Sequence, residues 1–141
     1  LRLCSADAKI SLREGRVGMV ADLGSLQRLP QIIGDAATRE LALTAKDIDA
    51  QRALGLGLVS QVAESHETLL VAGREEAASV AALSPLVTKG IKHLLNRRCG
   101  EALERGLQDV ATWNSAFLQS EDLNEAFAAF LSKRAPVYKG E

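Results

Sequence analysis

The chain has 141 residues, 47% of them hydrophobic, which is enough apolar material for one compact core or for part of a larger one. Its 17 basic and 18 acidic residues leave a formal charge of −1, so no long-range field favours nucleic acid or an anionic membrane, and an anionic ligand must be held by local groups. No apolar run approaches the roughly 20 residues of a spanning helix, no charged-then-apolar leader opens the chain, and Lys139-Gly140-Glu141 is no peroxisomal address, so a cytoplasmic, non-secreted protein is the default expectation.

Residues 1–14 read as two short extended segments, Leu1-Arg2-Leu3-Cys4 and Lys9-Ile10-Ser11-Leu12, turning around Asp7. Two short strands do not make a stable sheet, and their missing partners are expected upstream. Beyond Gly15 and Gly18, Asp22 precedes Leu23, Leu26 and Leu29 at helical spacing, with Pro30 interrupting before Ile32, Ile33 and Gly34; this predicts a short helix, a kink and a cap. Residues 36–44 predict a second helix, residues 49–54 a further turn or two closing on Gly55 and Gly57, and residues 58–62 a strand.

From Glu64 onward the pattern is almost wholly helical, without linkers, low complexity or repeats. Leu69, Leu70, Ala77 and Val80 share one face of a first helix, and Ser84-Pro85 starts a second with Leu86, Ile91, Leu94 and Leu95. Leu103, Leu107, Val110, Asn114, Phe117 and Leu118 step through a third. Asp122 with Glu125 reads as a capping box for a last helix bearing Leu123, Phe127, Phe130 and Leu131, followed by a polar, extended tail. So many amphipathic helices beside so little sheet predict burial against other subunits.

Cys4 and Cys99 match no metal-ligand spacing or redox pair and read as ordinary thiols; His66 and His93 have no second ligand at metal spacing. Lys89, Lys92, Arg97 and Arg98 read as a solvated helix face that could attract phosphate. On spacing alone, Glu14 is an exposed acid between a strand and a loop, and Asp22 caps the helix beginning near Leu23. Gly15, Gly18 and Gly24 form no phosphate-binding fingerprint.

Several strings carry a family resemblance. Glu40-Leu-Ala-Leu-Thr-Ala, Ile48-Asp-Ala, Ala53-Leu-Gly-Leu-Gly-Leu-Val and the ending Ala129-Phe-Leu-Ser-Lys-Arg-Ala-Pro-Val-Tyr-Lys-Gly, with Gly34 and Arg39, resemble the carboxyl-terminal half of the crotonase (enoyl-CoA hydratase/isomerase) superfamily. Within it, Arg13-Glu14, Val17-Gly18, the run from Ala21 to Pro30, Ala111-Thr112-Trp113-Asn114 and Leu118-Gln119-Ser120-Glu121-Asp122 are similar to Δ3,5-Δ2,4-dienoyl-CoA isomerases. Hydratases of the superfamily typically place glycine eight residues after the matching glutamate, where Asp22 stands here.

The resemblance implies an α/β fold: a spiral of ββα units, of which residues 1–62 form the last part with the active-site segment, followed by a helical oligomerisation domain over 63–141 that builds homotrimers or hexamers. It implies an acyl-CoA thioester as substrate, no cofactor, since coenzyme A belongs to the substrate, and no metal, nucleic-acid or membrane partner. The oxyanion hole and a further acid would come from the missing amino-terminal half, so the chain alone is expected to be inactive.

Moving two conjugated double bonds requires a proton to leave one carbon and another to arrive several bonds away, a task for two carboxyl groups. By resemblance these are Glu14 and Asp22; the sequence leaves open which abstracts and which donates, with proton removal next to the thioester by Glu14 as the preferred assignment. The resemblance also places Lys133 at the phosphates of coenzyme A and Phe130 at its adenine, with a solvated tail charge and a core aromatic as their respective alternatives. Trp113 and Asn114 read as packing or interface residues of the helical domain. The rival functions are an enoyl-CoA hydratase or other crotonase reaction on a CoA thioester, and a non-catalytic homologue.

Overall fold

The computed structural model describes residues 1–97 and 100–140, with the backbone alone for Arg97, Glu101, Ala102 and Phe117. Cys99 and the Arg98 of the expected basic face lie outside the described residues. The chain forms two compact units, each built from two stretches: Leu1–Ile10 with Asp47–Glu101, and Ser11–Lys46 with Ala102–Glu141. This division does not follow the linear boundary expected at residue 62.

In the first unit, β1 (Leu3–Ser5) pairs in parallel with β4 (Gln61–Ala63), and β2 (Lys9–Ile10) pairs antiparallel with β3 (Ile48–Asp49). The opening strands therefore find partners downstream, which corrects the expectation that these lie upstream. The strand expected over residues 58–62 is also displaced. Leu58 and Val59 donate their N–H groups to the Ala53 carbonyl, closing the helix before them, and those donors are no longer free for a ladder.

That helix, α3 (Ala50–Gly55), is capped by Asp49, whose side chain accepts from the Arg52 N–H at 2.7 Å. Ala50 and Ala53 are essentially inaccessible and lie with Cys4, Ile48, Val59 and Ala63 among the buried residues. α4 (His66–Ala81) opens with a reciprocal cap in which the Ser65 hydroxyl accepts from the Thr68 N–H and the Thr68 hydroxyl accepts from the Ser65 N–H. α5 (Pro85–Arg97) starts at its proline, as Ser84-Pro85 predicts. Neither helix hides its apolar stripe within the chain: Leu70 and Val80 on α4, and Leu86, Ile91, Leu94 and Leu95 on α5, are all exposed.

The second unit holds a short 3-10 helix (Glu14–Val17), α1 (Ser25–Ile33), α2 (Asp35–Thr44), α7 (Glu121–Leu131) and, from Ala102 onward, α6 (Gly100–Phe117). α1 contains Pro30 and ends at the expected cap, Gly34. Pro30 removes one hydrogen bond late in the helix, and its carbonyl still accepts the Gly34 N–H at 3.1 Å. Gly34, at φ 80°, ends α1 and precedes α2, and its own carbonyl accepts both the Thr38 N–H and the Thr38 hydroxyl. Leu41, Ala45, Val110, Ala126 and Ala129 are buried in this unit.

Two expected caps are corrected. Asp22 does not cap α1; the capping position is Gly24, in the left-handed region and without a side-chain bond, and Leu23 lies outside the helix and exposed. At α7 the cap is Ser120, accepting from the Leu123 N–H at 3.2 Å, because Asp122 is already the second helical residue. Asp122 and Glu125 instead hold the tail. Asp122 accepts the N–H groups of Lys139 and Gly140, while Glu125 accepts the N–H of Val137 and pairs with both terminal nitrogens of Arg134 at 2.5 and 2.7 Å.

Candidate active site

Glu14 opens the 3-10 helix, and Gly18 closes it at φ 75°, its N–H returning to the Glu14 carbonyl. A side chain at Gly18 would be strained by that φ and would also meet Leu123, whose Cα lies 3.2 Å from the position of an added Cβ. The turn therefore packs directly on α7.

Glu14 is half-buried and lines a cleft of about 560 Å³. The walls are mainly apolar, with Leu12, Met19, Leu26, Pro30, Ala42 and Leu43 among them. Its polar rim includes Asp35 and Arg39, an exposed ion pair one helical turn apart at 2.6 Å in which the carboxylate raises the Arg39 pKa. Glu14 thus brings an acidic residue to the wall of a mainly apolar hollow, a setting that suits general acid–base chemistry.

Asp22 follows on the loop between the 3-10 helix and α1. It is exposed and is not among the residues lining the cleft. The structure thus places Glu14 in a cleft and Asp22 on the same segment outside its walls. Lys133 and Phe130 lie at the end of α7, both exposed, with Lys133 at φ 50°; neither lines the cleft. His66 and His93 are exposed, and no group of three metal-ligating side chains occurs among the described residues.

Two contacts on the segment were not legible as such in the sequence. The Asn114 side chain pairs with the backbone of Val20, its Oδ1 accepting the Val20 N–H at 3.2 Å and its Nδ2 donating to the Val20 carbonyl at 3.1 Å. The Tyr138 hydroxyl donates to the Arg16 carbonyl at 3.2 Å. An asparagine inside an apolar helical stripe is the signal that could have pointed to the first, because asparagine is a poor helix former unless its amide has work elsewhere. Nothing in the tail's composition marks the second.

The chain matches the Enoyl-CoA hydratase/isomerase family over residues 1–141. It belongs to that family. Among its relatives, the mitochondrial Delta(3,5)-Delta(2,4)-dienoyl-CoA isomerase of Dictyostelium discoideum is 49% identical over 139 residues, 99% of this chain and 47% of the relative. The peroxisomal Delta(3,5)-Delta(2,4)-dienoyl-CoA isomerase of Arabidopsis thaliana is 47% identical over 138 residues, 98% of this chain and 50% of the relative. A solved carnitinyl-CoA hydratase from Mycobacterium avium superposes with a TM-score of 0.92 at 26% identity, covering 99% of this chain and 54% of that one.

The chain thus spans about half the length of the curated relatives it matches. Its fold is that of the crotonase-like family, the part in which a little sheet gives way to helices. The relatives' names place them in mitochondria and peroxisomes, which does not match the expected cytoplasmic location. Among the described residues no helix is long and apolar enough to cross a membrane.

Proposed function

We propose that the intact protein containing this chain is an isomerase that converts 3,5-dienoyl-CoA to 2,4-dienoyl-CoA, the type of step that β-oxidation of unsaturated fatty acids requires. The observation that carries this reading is the 49% identity, over 139 residues, to an isomerase of that name. In the proposed mechanism Glu14 takes a proton from the carbon next to the thioester. The electron pair shifts along the diene as a dienolate, and Asp22 delivers a proton at the far end. Net composition is unchanged, and no cofactor is consumed. Lys133 and Phe130 contact the phosphates and adenine of coenzyme A in this reading. The exposed stripes of α4 and α5 support assembly into a homotrimer or hexamer.

A second reading is favoured by the carnitinyl-CoA hydratase superposition: addition or removal of water on a CoA thioester, with Glu14 acting and Asp22 idle. One experiment separates them. The intact protein is supplied with a 3,5-dienoyl-CoA, and the ultraviolet absorbance of the conjugated product is followed. Turnover that falls by about 10²–10⁴ in both Glu14→Gln and Asp22→Asn, with melting temperature nearly unchanged, is the expected result. Near-normal isomerisation by Asp22→Asn returns that residue to an ordinary loop acid, and hydration without isomerisation establishes the second reading.

A further inference from the structure

Segment 14–22 comprises the 3-10 helix and the loop leading on toward α1, and it has no strand partner of its own. Its partly covered backbone must find hydrogen bonds elsewhere, and a proton-transfer site needs that backbone fixed, since a displacement of roughly 1 Å can cost on the order of 10² in rate. Three points along the segment meet that need, all of them in the second unit.

At Val20, two residues before Asp22, a single side-chain amide satisfies both the N–H and the carbonyl, as a neighbouring strand would. Only a planar amide offers a donor and an acceptor side by side; aspartate offers two acceptors and leucine, of similar size, neither. The amide comes from Asn114 on α6, one helical turn beyond the buried Val110, so its own position is set by a packed helix face. At Arg16, two residues after Glu14, the Tyr138 hydroxyl engages the carbonyl, and the tail bearing Tyr138 is itself tied to α7 through Glu125 and Asp122. Between them, Gly18 sits hard against Leu123.

We propose that Asn114 is a positioning residue for the segment carrying Glu14 and Asp22, and that Tyr138 anchors the other end of the same segment. The proposal rests on the catalytic reading of that segment. Both side chains bond to backbone, so their loss moves the two acids without removing either.

The test uses the intact protein. Asn114→Ala removes both bonds to Val20; Asn114→Asp keeps the acceptor for the Val20 N–H but sets a carboxylate against the Val20 carbonyl; Tyr138→Phe removes one hydroxyl. The expected kcat for 3,5-dienoyl-CoA falls on the order of tenfold or more in both Asn114 variants and about threefold in Tyr138→Phe, while KM stays within about twofold, because orientation and not binding is disturbed. In parallel, amide hydrogen exchange at Val20 accelerates in Asn114→Ala, with the change confined to residues 16–22. A normal kcat and unchanged Val20 exchange in Asn114→Ala overturn the proposal. So does a loss of turnover accompanied by faster exchange throughout α6 and α7, which would mark general destabilisation. The exchange measurement needs no substrate; inactivity of the unmodified enzyme on dienoyl-CoA would count against the isomerase reading, and Val20 exchange would still decide whether Asn114 holds the segment.

Discussion

Segment 14–22 and the helices α4 and α5 solve opposite problems. The segment is short, irregular and glycine-containing, with Ala21 as its one buried hydrophobic residue, yet Asn114, Tyr138 and Leu123 secure it at Val20, Arg16 and Gly18. The two helices are long and regular, but most of their large apolar residues lie exposed, Leu86 and Leu94 at 83% and 70%. Regular backbone therefore does not imply a fixed environment, and irregular backbone does not imply a loose one. What matters is where the hydrogen bonds and the apolar area go once the backbone is made.

The largest effect that could break this contrast lies in the core. Leu41 on α2 is only 3% exposed, so Leu41→Ala is expected to cost about 2–5 kcal/mol by denaturant unfolding, at any protein concentration. Leu94→Ala is expected to cost much less when the intact protein is dilute. If the α5 face is an assembly surface, its cost will appear only at concentrations where subunits associate. Sedimentation finding Leu94→Glu as fully assembled as the unmodified protein would remove α5 from the interface.

The next effect concerns two glycines and should have opposite signs in the two regions. Gly18 is left-handed and packed on Leu123, so Gly18→Ala is expected to destabilise by about 1–2 kcal/mol. Gly73 lies inside α4, where an added Cβ meets nothing within 4 Å, and Gly73→Ala is expected to stabilise by about 0.5–1 kcal/mol. Thermal or denaturant unfolding reads both, and equal signs would contradict the difference drawn between these environments.

Ser120→Ala should cost about 1 kcal/mol through the lost cap of α7, and kcat should fall only if loosening that helix end frees Gly18 as well. The smallest effect is the pH dependence of the tail clamp. Hydrogen bonding to Arg134 first, and the Val137 N–H second, lower the Glu125 pKa from an ordinary 4.5 to about 2. A depressed carboxylate pKa contributes stability that is fully present above the unfolded value and is lost as pH falls through the folded one. The stability difference between the unmodified protein and Glu125→Gln should therefore be flat above about pH 5 and shrink from there toward pH 2 in unfolding titrations. A difference that grows on acidification would mean that Glu125 does not act as a carboxylate clamp.

Much of the helical layout was readable from spacing. Residues 36–44 became α2 at Asp35–Thr44, Ser84-Pro85 marked the start of α5, and the turn or two expected over 49–54 became α3 at Ala50–Gly55. Elsewhere local signals competed and tertiary contacts chose between them. Asp22 had the position of a helix cap, but α1 begins later, with Gly24 at its capping position. Asp122 and Glu125 had the spacing of a capping box, but Ser120 took the cap and left both carboxylates to the tail.

The candidate site divides in the same way. The family's motif strings brought out Glu14 and Asp22, yet no spacing rule could show that Glu14 would line a cleft and Asp22 would stand outside its walls. Residue order by itself determined where helices could form, which chemical groups were present and to which family the chain belongs, because propensity, capping chemistry and motif strings are local properties of the sequence. Only the tertiary structure decided that strands 3–5 and 61–63 pair, that Asn114 meets Val20 across 94 residues and that Tyr138 reaches Arg16 across 122. Such contacts depend on how packed elements bring distant backbone groups within about 3 Å, a distance condition that no local pattern encodes.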